Sequence, residues 1–439
     1  MTHDSLVGTT LSAKGWHKID GIARNGHRDR GVLYSSRRLN AAGNVGGKWF
    51  LMSAVRKSAV SSLFGTKLQI EVGRGVTEFH ARRPVLIADD GETLLALPVE
   101  GLDTQRLVEF MALCAPVVPR LIITARRALA LGLDATTPVA LQLIAGFDAD
   151  TILALVADAK IGRPPDALEA GRVAIAAIQL VKLSQGLPAV LVAEVAAPDA
   201  LLSEHRLVTV EAKAVDDFGE EIIQSLAIAS KASVPLNSGS RADFVVFRDA
   251  MGGSSVAIIV GKPDLSKSVL VRLHSACLTG DVFGSRRCDC GDQLKLAIKR
   301  LEAVGGGIVL YLAQEGRGLG LANKMRTYQM QDDGLDTVDA NLTLGFDDDE
   351  RDYGIAARML QMLDCRRVVL LTNNPAKLEG LAKSGIEITG RMPLEAPINS
   401  DNRRYLTAKA ARAGHQLNYV LTSLAEPSGV AHDVAPLVP

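Results

Sequence analysis

Cys277, Cys288 and Cys290 fall within fourteen residues, in the run HSACLTGDVFGSRRCDCGDQL, and are three of the chain's five cysteines. A Cys-x-Cys pair in an extended segment or tight turn puts both sulfurs on one side of the backbone, and a third sulfur eleven positions upstream can close on them across a hairpin. Three thiolates plus one exchangeable water is the pattern of a catalytic zinc, whereas a structural zinc has its fourth ligand fixed by protein. Cys114 and Cys365 stand alone in apolar surroundings, so no Cys-x-x-Cys partner exists for a four-thiolate site. The competing reading is a set of reduced packing thiols, or one disulfide. A Cys288–Cys290 disulfide would be strained by its short loop, and nothing in the sequence suggests an oxidising compartment. Spacing and flanking residues together favour a metal.

Three further stretches could do chemistry. Gln314-Glu315-Gly316-Arg317-Gly318-Leu319-Gly320 combines a carboxylate, a guanidinium and three glycines ahead of a helix; such glycines let backbone N–H groups approach a phosphate, and the arginine is a bidentate donor. Alone it would read as a tight connection. Asp347-Asp348-Asp349-Glu350-Arg351-Asp352 follows the strand-like LTLGF and is either a solvated charge run or an acid/base pair. Thr372, Asn373 and Asn374 either close a turn before Pro375 or face a ligand. Arg286 and Arg287, without a basic face around them, argue for a phosphate ligand rather than a nucleic acid.

These segments need a scaffold. At 439 residues, 47% apolar, 22% charged and with formal net charge zero, the chain reads as an ordinary globular protein of two or three domains. The N-terminus lacks a secretory signal and the apolar stretches are too short to span a bilayer, so the expected location is cytoplasmic. Residues 1–66 show no sustained period and read as a variable extension. From about Gln69, GVTEFHARR is predicted helical, PVLIAD a strand and TQRLVEFMALC an amphipathic helix, with alternation continuing to about residue 212. DDFGEEIIQSLAIASKA is predicted as one helix capped near Asp216 or Asp217, and the turn-forming cluster at 235–240 sets a domain boundary near residue 233. A second α/β domain follows over 233–422. In it VAIIVG, SVLVRLH, GIVLYLA, RRVVLLT and IEITGR are strands, and QLKLAIKRLEAVG, LANKMRTYQMQ, DYGIAARMLQML and AKLEGLAKSG are helices. Two strand-turn-helix units, ending in QEGRGLG and TNNP, would gather ligand groups at the carboxyl ends of strands. The tail 423–439 is Pro-rich and expected to be disordered.

RLHSACLTGD, SRRCDCGDQL, QEGRGLGLANKMRTY, DDGLDTVDANLTLGFDDDERDYG and LLTNNPAKLEGL, in this order and spacing, resemble GTP cyclohydrolase II over roughly residues 233–420. The resemblance implies two α/β domains with mixed sheets, the C-terminal one a cyclohydrolase II-type fold. It also implies Zn²⁺ on Cys277, Cys288 and Cys290, with Mg²⁺ accompanying the GTP phosphates, and a homodimer. Arg272, Leu273, His274, Ser275 and Ala276, with Gln293, Glu315, Gly316, Arg317, Thr337, Thr372 and Lys377, fall on its GTP-contacting positions. Asp349 matches its proton acceptor, Arg351 the residue assigned as nucleophile on the α-phosphate, and Tyr328 a tyrosine of the deformylating half-reaction. A three-thiolate zinc can activate water for attack on C8 of the purine and then on the formyl carbon, while cations bracket the phosphates as pyrophosphate leaves. The family usually has glutamate directly before the first cysteine; this chain has Ala276, which leaves a different nucleotide substrate or product open. A noncatalytic nucleotide-binding scaffold is the reading from another class.

Residues 67–232 resemble a degenerate 3,4-dihydroxy-2-butanone 4-phosphate synthase domain, through VTEFHARRPVLIADD and AIAAIQLVKLSQGLPAVLVAEV. That chemistry needs an acidic cluster for Mg²⁺, because hard cations demand several oxygens. Here Asp89-Asp90-Gly91-Glu92 runs into apolar residues, and GRVAIAA replaces the family's Gly-His-Thr-Glu. Synthase activity is expected to be absent, with Asp89, Asp90 and Glu92 forming a solvated turn.

Overall fold

The computed structural model describes residues 65–412, apart from 144–146, 162–163 and 196–197, together with 416–417. Apart from residues 65 and 66, the expected extension and tail lie outside these.

The first half opens with α1 (Lys67–His80), fixed at its start by a capping box in which Thr66 and Gln69 satisfy each other's backbone N–H groups. Then follow β1 (Val85–Asp89), β2 (Glu92–Pro98), α2 (Thr104–Cys114), β3 (Arg120–Ile123), α3 (Ala125–Ala130), β4 (Val139–Gln142), α4 (Ala149–Ala157), β5 (Ala167–Glu169), α5 (Arg172–Leu183), β6 (Ala189–Glu194), α6 (Pro198–His205), β7 (Thr209–Glu211) and α7 (Ala212–Ser225). The strands form one sheet in the order β5-β4-β3-β6-β2-β1-β7, antiparallel except for the parallel β1–β7 pair. Period-two alternation splits its side chains between two cores. Leu95, Leu121, Leu141 and Leu191 face one, while Ile87, Leu94, Ile122 and Val192 face the other, under α1, α5 and α7.

The second half contains β8 (Ala227–Pro235), β9 (Arg241–Arg248), β10 (Ser254–Gly261), β11 (Val269–Ser275), α8 (Cys290–Ala303), β12 (Gly306–Leu312), α9 (Leu321–Asp332), α10 (Thr337–Thr343), α11 (Gly354–Met362), β13 (Arg367–Leu371), α12 (Pro375–Lys383), β14 (Glu387–Met392) and α13 (Arg403–Arg412). Its sheet order is β14-β13-β11-β12-β10-β9-β8. β14, β13, β11 and β12 run parallel, and the other three join antiparallel. Both halves are mixed α/β sheets. The carboxyl ends of the parallel strands β11, β12 and β13 therefore share one edge, where connections to helices leave side chains free for a ligand.

Three local expectations need correction. The helix predicted through AIASKA stops at Ser225: residues 227–235 pair along β9, and Asp216 and Asp217 lie inside α7, which begins after Glu211. Cross-strand pairing outweighs the helix propensity of those alanines. The second sheet consequently opens at Ala227, and residue 233 falls within β8. LTLGF is no strand. Asp336 caps α10 by accepting from the N–H groups of Val338 and Asp339 at 2.8 Å, and that cap carries Thr337–Thr343 into a helix despite its β-favouring residues.

Candidate active site

The cysteines do not meet across a hairpin. Cys277 follows the end of β11, a π-type turn (Leu278–Val282) folds the chain back, and Cys290 begins α8 with Cys288 in the turn before it. The three sulfurs all lie within 4.8 Å of one another, with Cys277 and Cys288 3.7 Å apart. Gly280 makes the room: a Cβ there would stand 2.9 Å from Cys288 Sγ and 3.2 Å from Cys277 Sγ. Donor chemistry and cradle both fit a thiolate-bound zinc. Hydrogen bonds from Cys288 and Cys290, with Lys324, push the Cys277 pKa down, and the same proximity pushes Cys288 and Cys290 up.

Asp281 holds this turn in place. Its carboxylate accepts from Cys277 N at 2.9 Å, from Tyr311 Oη at 2.9 Å and from His274 Nε2 at 3.1 Å. Burial lowers the His274 pKa, so its ring is a neutral donor through Nε2 and its Nδ1 has no protein partner. Lys324, on α9, reaches Cys277 Sγ at 3.0 Å and Glu315 Oε1 at 2.8 Å. Burial alone would lower its pKa, but these two partners raise it. Glu315 also accepts from Leu278 N at 2.7 Å, joining the Gly-rich turn to the cysteine turn.

The sulfurs line one side of an open cleft. Its wall includes Arg272, His274, Ser275, Ala276, Gln293, Glu315, Gly316, Arg317, Tyr328, Thr337, Arg351, Thr372 and Lys377. Leu273 is fully buried and contributes only its carbonyl, which accepts from Lys377 Nζ at 2.8 Å. Asp349 stands behind Arg351 instead of on the wall, paired with it at 2.6 Å. Burial pushes Arg272 down to about 10, and burial with repulsion from Arg272 and Arg351 pushes Lys377 well below the lysine range. This cluster of buried basic groups, mutually repelling when charged, would be relieved by an anion. Burial alone would raise Asp349, but the bonds and charge of Arg351 hold it below the usual carboxylate range. Burial raises Tyr328 to about 12, so its phenol stays protonated at neutral pH; the Arg287 guanidinium lies 4.6 Å from its ring centroid.

Arg286 and Arg287 already have partners, Asp401 at 2.7 Å and Asp332 at 2.9 Å, so neither is a free phosphate ligand. Asn374 caps α12, and Thr372, Asn373 and Asn374 all line the cleft. Sequence reasoning missed Asp281, Lys324, Tyr405 and Lys409. The last two come from α13, where Lys409 pairs with the buried Asp289, between two of the cysteines, at 3.1 Å. Only their nearness to recognised motifs could have signalled the first two, and nothing local signals the others.

The sequence profile of GTP cyclohydrolase II matches residues 227–393. "GTP cyclohydrolase-2" of Azospirillum brasilense is 42% identical over 343 residues, covering 74% of this chain and 88% of that protein. The chain belongs to the GTP cyclohydrolase II family. Membership makes it an enzyme, a GTP cyclohydrolase II of riboflavin biosynthesis. "GTP cyclohydrolase-2" of Xylella fastidiosa (strain 9a5c) is 37% identical over 81% of this chain and 89% of its own. "Riboflavin biosynthesis protein RibBA" of Bacillus mycoides is 52% identical over 37% of this chain and 41% of its own. Among solved structures, RibBX, a two domain 3,4-dihydroxy-2-butanone 4-phosphate synthase from A. baumannii, matches 74% of this chain and 100% of its own at 16% identity and TM-score 0.29, a likeness too loose to carry an argument. No helix among the described residues is long and apolar enough to cross a membrane.

Proposed function

We propose that this GTP cyclohydrolase II is zinc-dependent and converts GTP to 2,5-diamino-6-ribosylamino-4(3H)-pyrimidinone 5′-phosphate, formate and pyrophosphate. The observation that carries the reading is one cleft with three converging thiols on one side and the buried cations Arg272, Arg351 and Lys377 on another. Purine hydrolysis needs the first and phosphate loss the second. Cys277, Cys288 and Cys290 would hold the zinc, which when bound supplies Lewis acidity and a hydrolytic water of lowered pKa.

The chain's own residues do the rest. Arg272, Arg317 and Lys377 orient the triphosphate, with Mg²⁺ sharing its charge, and Gln293, Thr337 and Thr372 supply polar contacts around the nucleotide. Arg351 faces the phosphates as a cation. Its pKa is raised despite burial because Asp349 holds it. A nucleophilic Arg351 would require Asp349 to take its proton; the carboxylate is within reach at 2.6 Å, but the transfer runs against the pKa directions of both groups, so the step needs the bound phosphates to change that balance. Tyr328, protonated and beside the cysteines, is placed to donate a proton in the deformylating half. With alanine at position 276, Glu315 is the one carboxylate among the described residues lining the cleft.

We further infer that the first half has no synthase activity. Arg172 pairs with Asp89, the last residue of β1, at 2.7 Å and with Asp216 at 3.3 Å, so a guanidinium already neutralises these two carboxylates. We also expect a cytoplasmic homodimer, which light scattering would test.

Incubating the zinc-loaded protein with GTP and Mg²⁺ decides the main reading. Equimolar formate and pyrophosphate, with the pyrimidinone product by mass, are expected; pyrophosphate without formate would overturn the zinc-dependent half. Ribulose 5-phosphate with Mg²⁺ should release no formate.

A further inference from the structure

Two segments of the second half carry the three residues given catalytic roles, Tyr328, Asp349 and Arg351: residues 315–328, which also hold Glu315, Arg317 and Lys324, and residues 343–351. Both are seated on the first half of the chain. Leu319, Leu344 and Phe346 belong to the same apolar core as Leu95, Leu121 and Leu191 of the first sheet. Asn323, with no exposed surface, donates from Nδ2 to Gln185 O at 3.0 Å and Gly186 O at 3.2 Å.

Arg127, 2% exposed, lies at the centre of this contact. It donates to Thr343 O, at the last residue of α10, at 2.8 Å, and to the carbonyls of Leu155, Ala154 and Asp158, at the end of α4, at 2.8, 3.0 and 2.8 Å. One guanidinium thus ties together the electronegative carboxyl ends of two helices, one from each half. Two residues further on, Gly345 O accepts from Thr124 Oγ1 at 2.7 Å.

The contact nearest the chemistry is Lys182 of α5. It pairs with Glu350 at 2.7 Å, their side chains 17% and 20% exposed, and Glu350 is the residue between Asp349 and Arg351. The same carboxylate oxygen accepts from Asp347 N at 2.8 Å, and Glu350 N donates to Arg317 O at 3.1 Å. A Cβ on Gly318 would lie 2.8 Å from Glu350 O, so the two segments meet backbone to backbone there, and Arg317 adds a bond to Asp348 at 2.6 Å. The Lys182–Glu350 pair therefore bears on both segments.

We propose that the first half of the chain is a positioning element of the active site, and that Lys182, acting through Glu350, holds Asp349, Arg351 and Arg317 in working geometry. The proposal rests on the roles given to those residues above. Lys182 touches no substrate; its effect is orientation, and displacements of about 1 Å far from the reacting atoms can cost about a hundredfold in rate.

The test uses the full-length, zinc-loaded enzyme and the variants Lys182→Met, Lys182→Arg, Glu350→Gln and the double variant Lys182→Met/Glu350→Gln. Formate release gives kcat and KM for GTP; melting temperature and zinc content report the fold and the metal. Lys182→Met should lower kcat about tenfold and change KM by less than about twofold, with zinc content and melting temperature close to wild type. Lys182→Arg should recover most of the loss, and the double variant should be no worse than the more impaired single one. A kcat within twofold of wild type in both Lys182→Met and Glu350→Gln would overturn the proposal. So would a loss that merely tracks lost zinc or folded protein, or one that arginine does not rescue. A wild-type enzyme that releases no formate would instead overturn the reading of the site itself, and this proposal with it.

Discussion

Replacing Gly280 with alanine probes the zinc reading without touching a ligand. A Cβ at this position would lie 2.9 Å from Cys288 Sγ, 3.1 Å from Cys290 Cβ and 3.2 Å from Cys277 Sγ. Non-bonded carbon contacts settle at about 3.5–4.0 Å, so at least one sulfur must move by roughly half an ångström or more. The backbone has little room to retreat, because Gly291 in the first turn of α8 packs so closely that its own Cβ would stand 2.3 Å from Gly280 O. Gly280 lacks a positive φ, so alanine adds no backbone strain and the effect is steric. Metal–ligand distances tolerate about 0.2 Å. Disturbing the groups that orient ligands costs about 10–100-fold in affinity, and a wedge among the sulfurs belongs at the top of that range, about 2.7 kcal/mol. Competition against a chromophoric zinc chelator measures this directly, with formate release alongside. Gly219→Ala, on α7 with nothing within 4 Å of the added methyl, is the control and should match wild type. Zinc affinity in Gly280→Ala within threefold of wild type would refute the assignment of the three cysteines as one metal site.

Cys288→Ser should lose bound zinc and formate release together while its circular dichroism stays native; full turnover in that variant would exclude the thiolate site. Arg127→Met strips the donor from four carbonyls, of which those of Leu155 and Thr343 are buried and cost about 1–3 kcal/mol each when unsatisfied, and should destabilise the protein by about 4 kcal/mol in urea unfolding. A loss under about 1 kcal/mol would contradict the role given to this guanidinium. Because Asp349 is held below the ordinary carboxylate range, its stabilising contribution is complete above the unfolded value near about 3.9 and is lost as pH falls through the lower folded value. Asp349→Asn should therefore be less stable than wild type at pH 7 and converge with it at about pH 2; a gap independent of pH would show that the Asp349–Arg351 pair contributes no net stability.

What could be read along the chain was what local chemistry dictates. The five predicted strands of the second half and the cysteine cluster all have their information within a few residues: apolar periodicity for the strands, ligand type and spacing for the sulfurs. The failures have equally definite causes. AIASKA carries helix-favouring alanines, but its partner β9 lies beyond a turn, and pairing decided the outcome. LTLGF has strand-like residues, but the cap at Asp336 sits six residues before Leu342 and outweighed them. Asp281 was passed over because its importance comes from meeting His274, Cys277 and Tyr311, contributed by different parts of the fold.

The acidic run 347–350 shows why a charge pattern alone cannot separate solvated loop from working site. Each of its four carboxylates has a cation of its own: Arg126 for Asp347, Arg317 for Asp348, Arg351 for Asp349 and Lys182 for Glu350. Only the Arg351 pair is local in sequence. Arg317 comes from the Gly-rich turn, and Arg126 and Lys182 come from the first half of the chain, 221 and 168 residues away. Four adjacent negative charges would repel one another if solvated alone, and the loop would be free to move. Pairing them outward in different directions turns the same repulsion into a fixed geometry, with Arg351 directed into the cleft. On the positioning role proposed above, the first half of the chain serves this loop by supplying two of the four cations that pair with it.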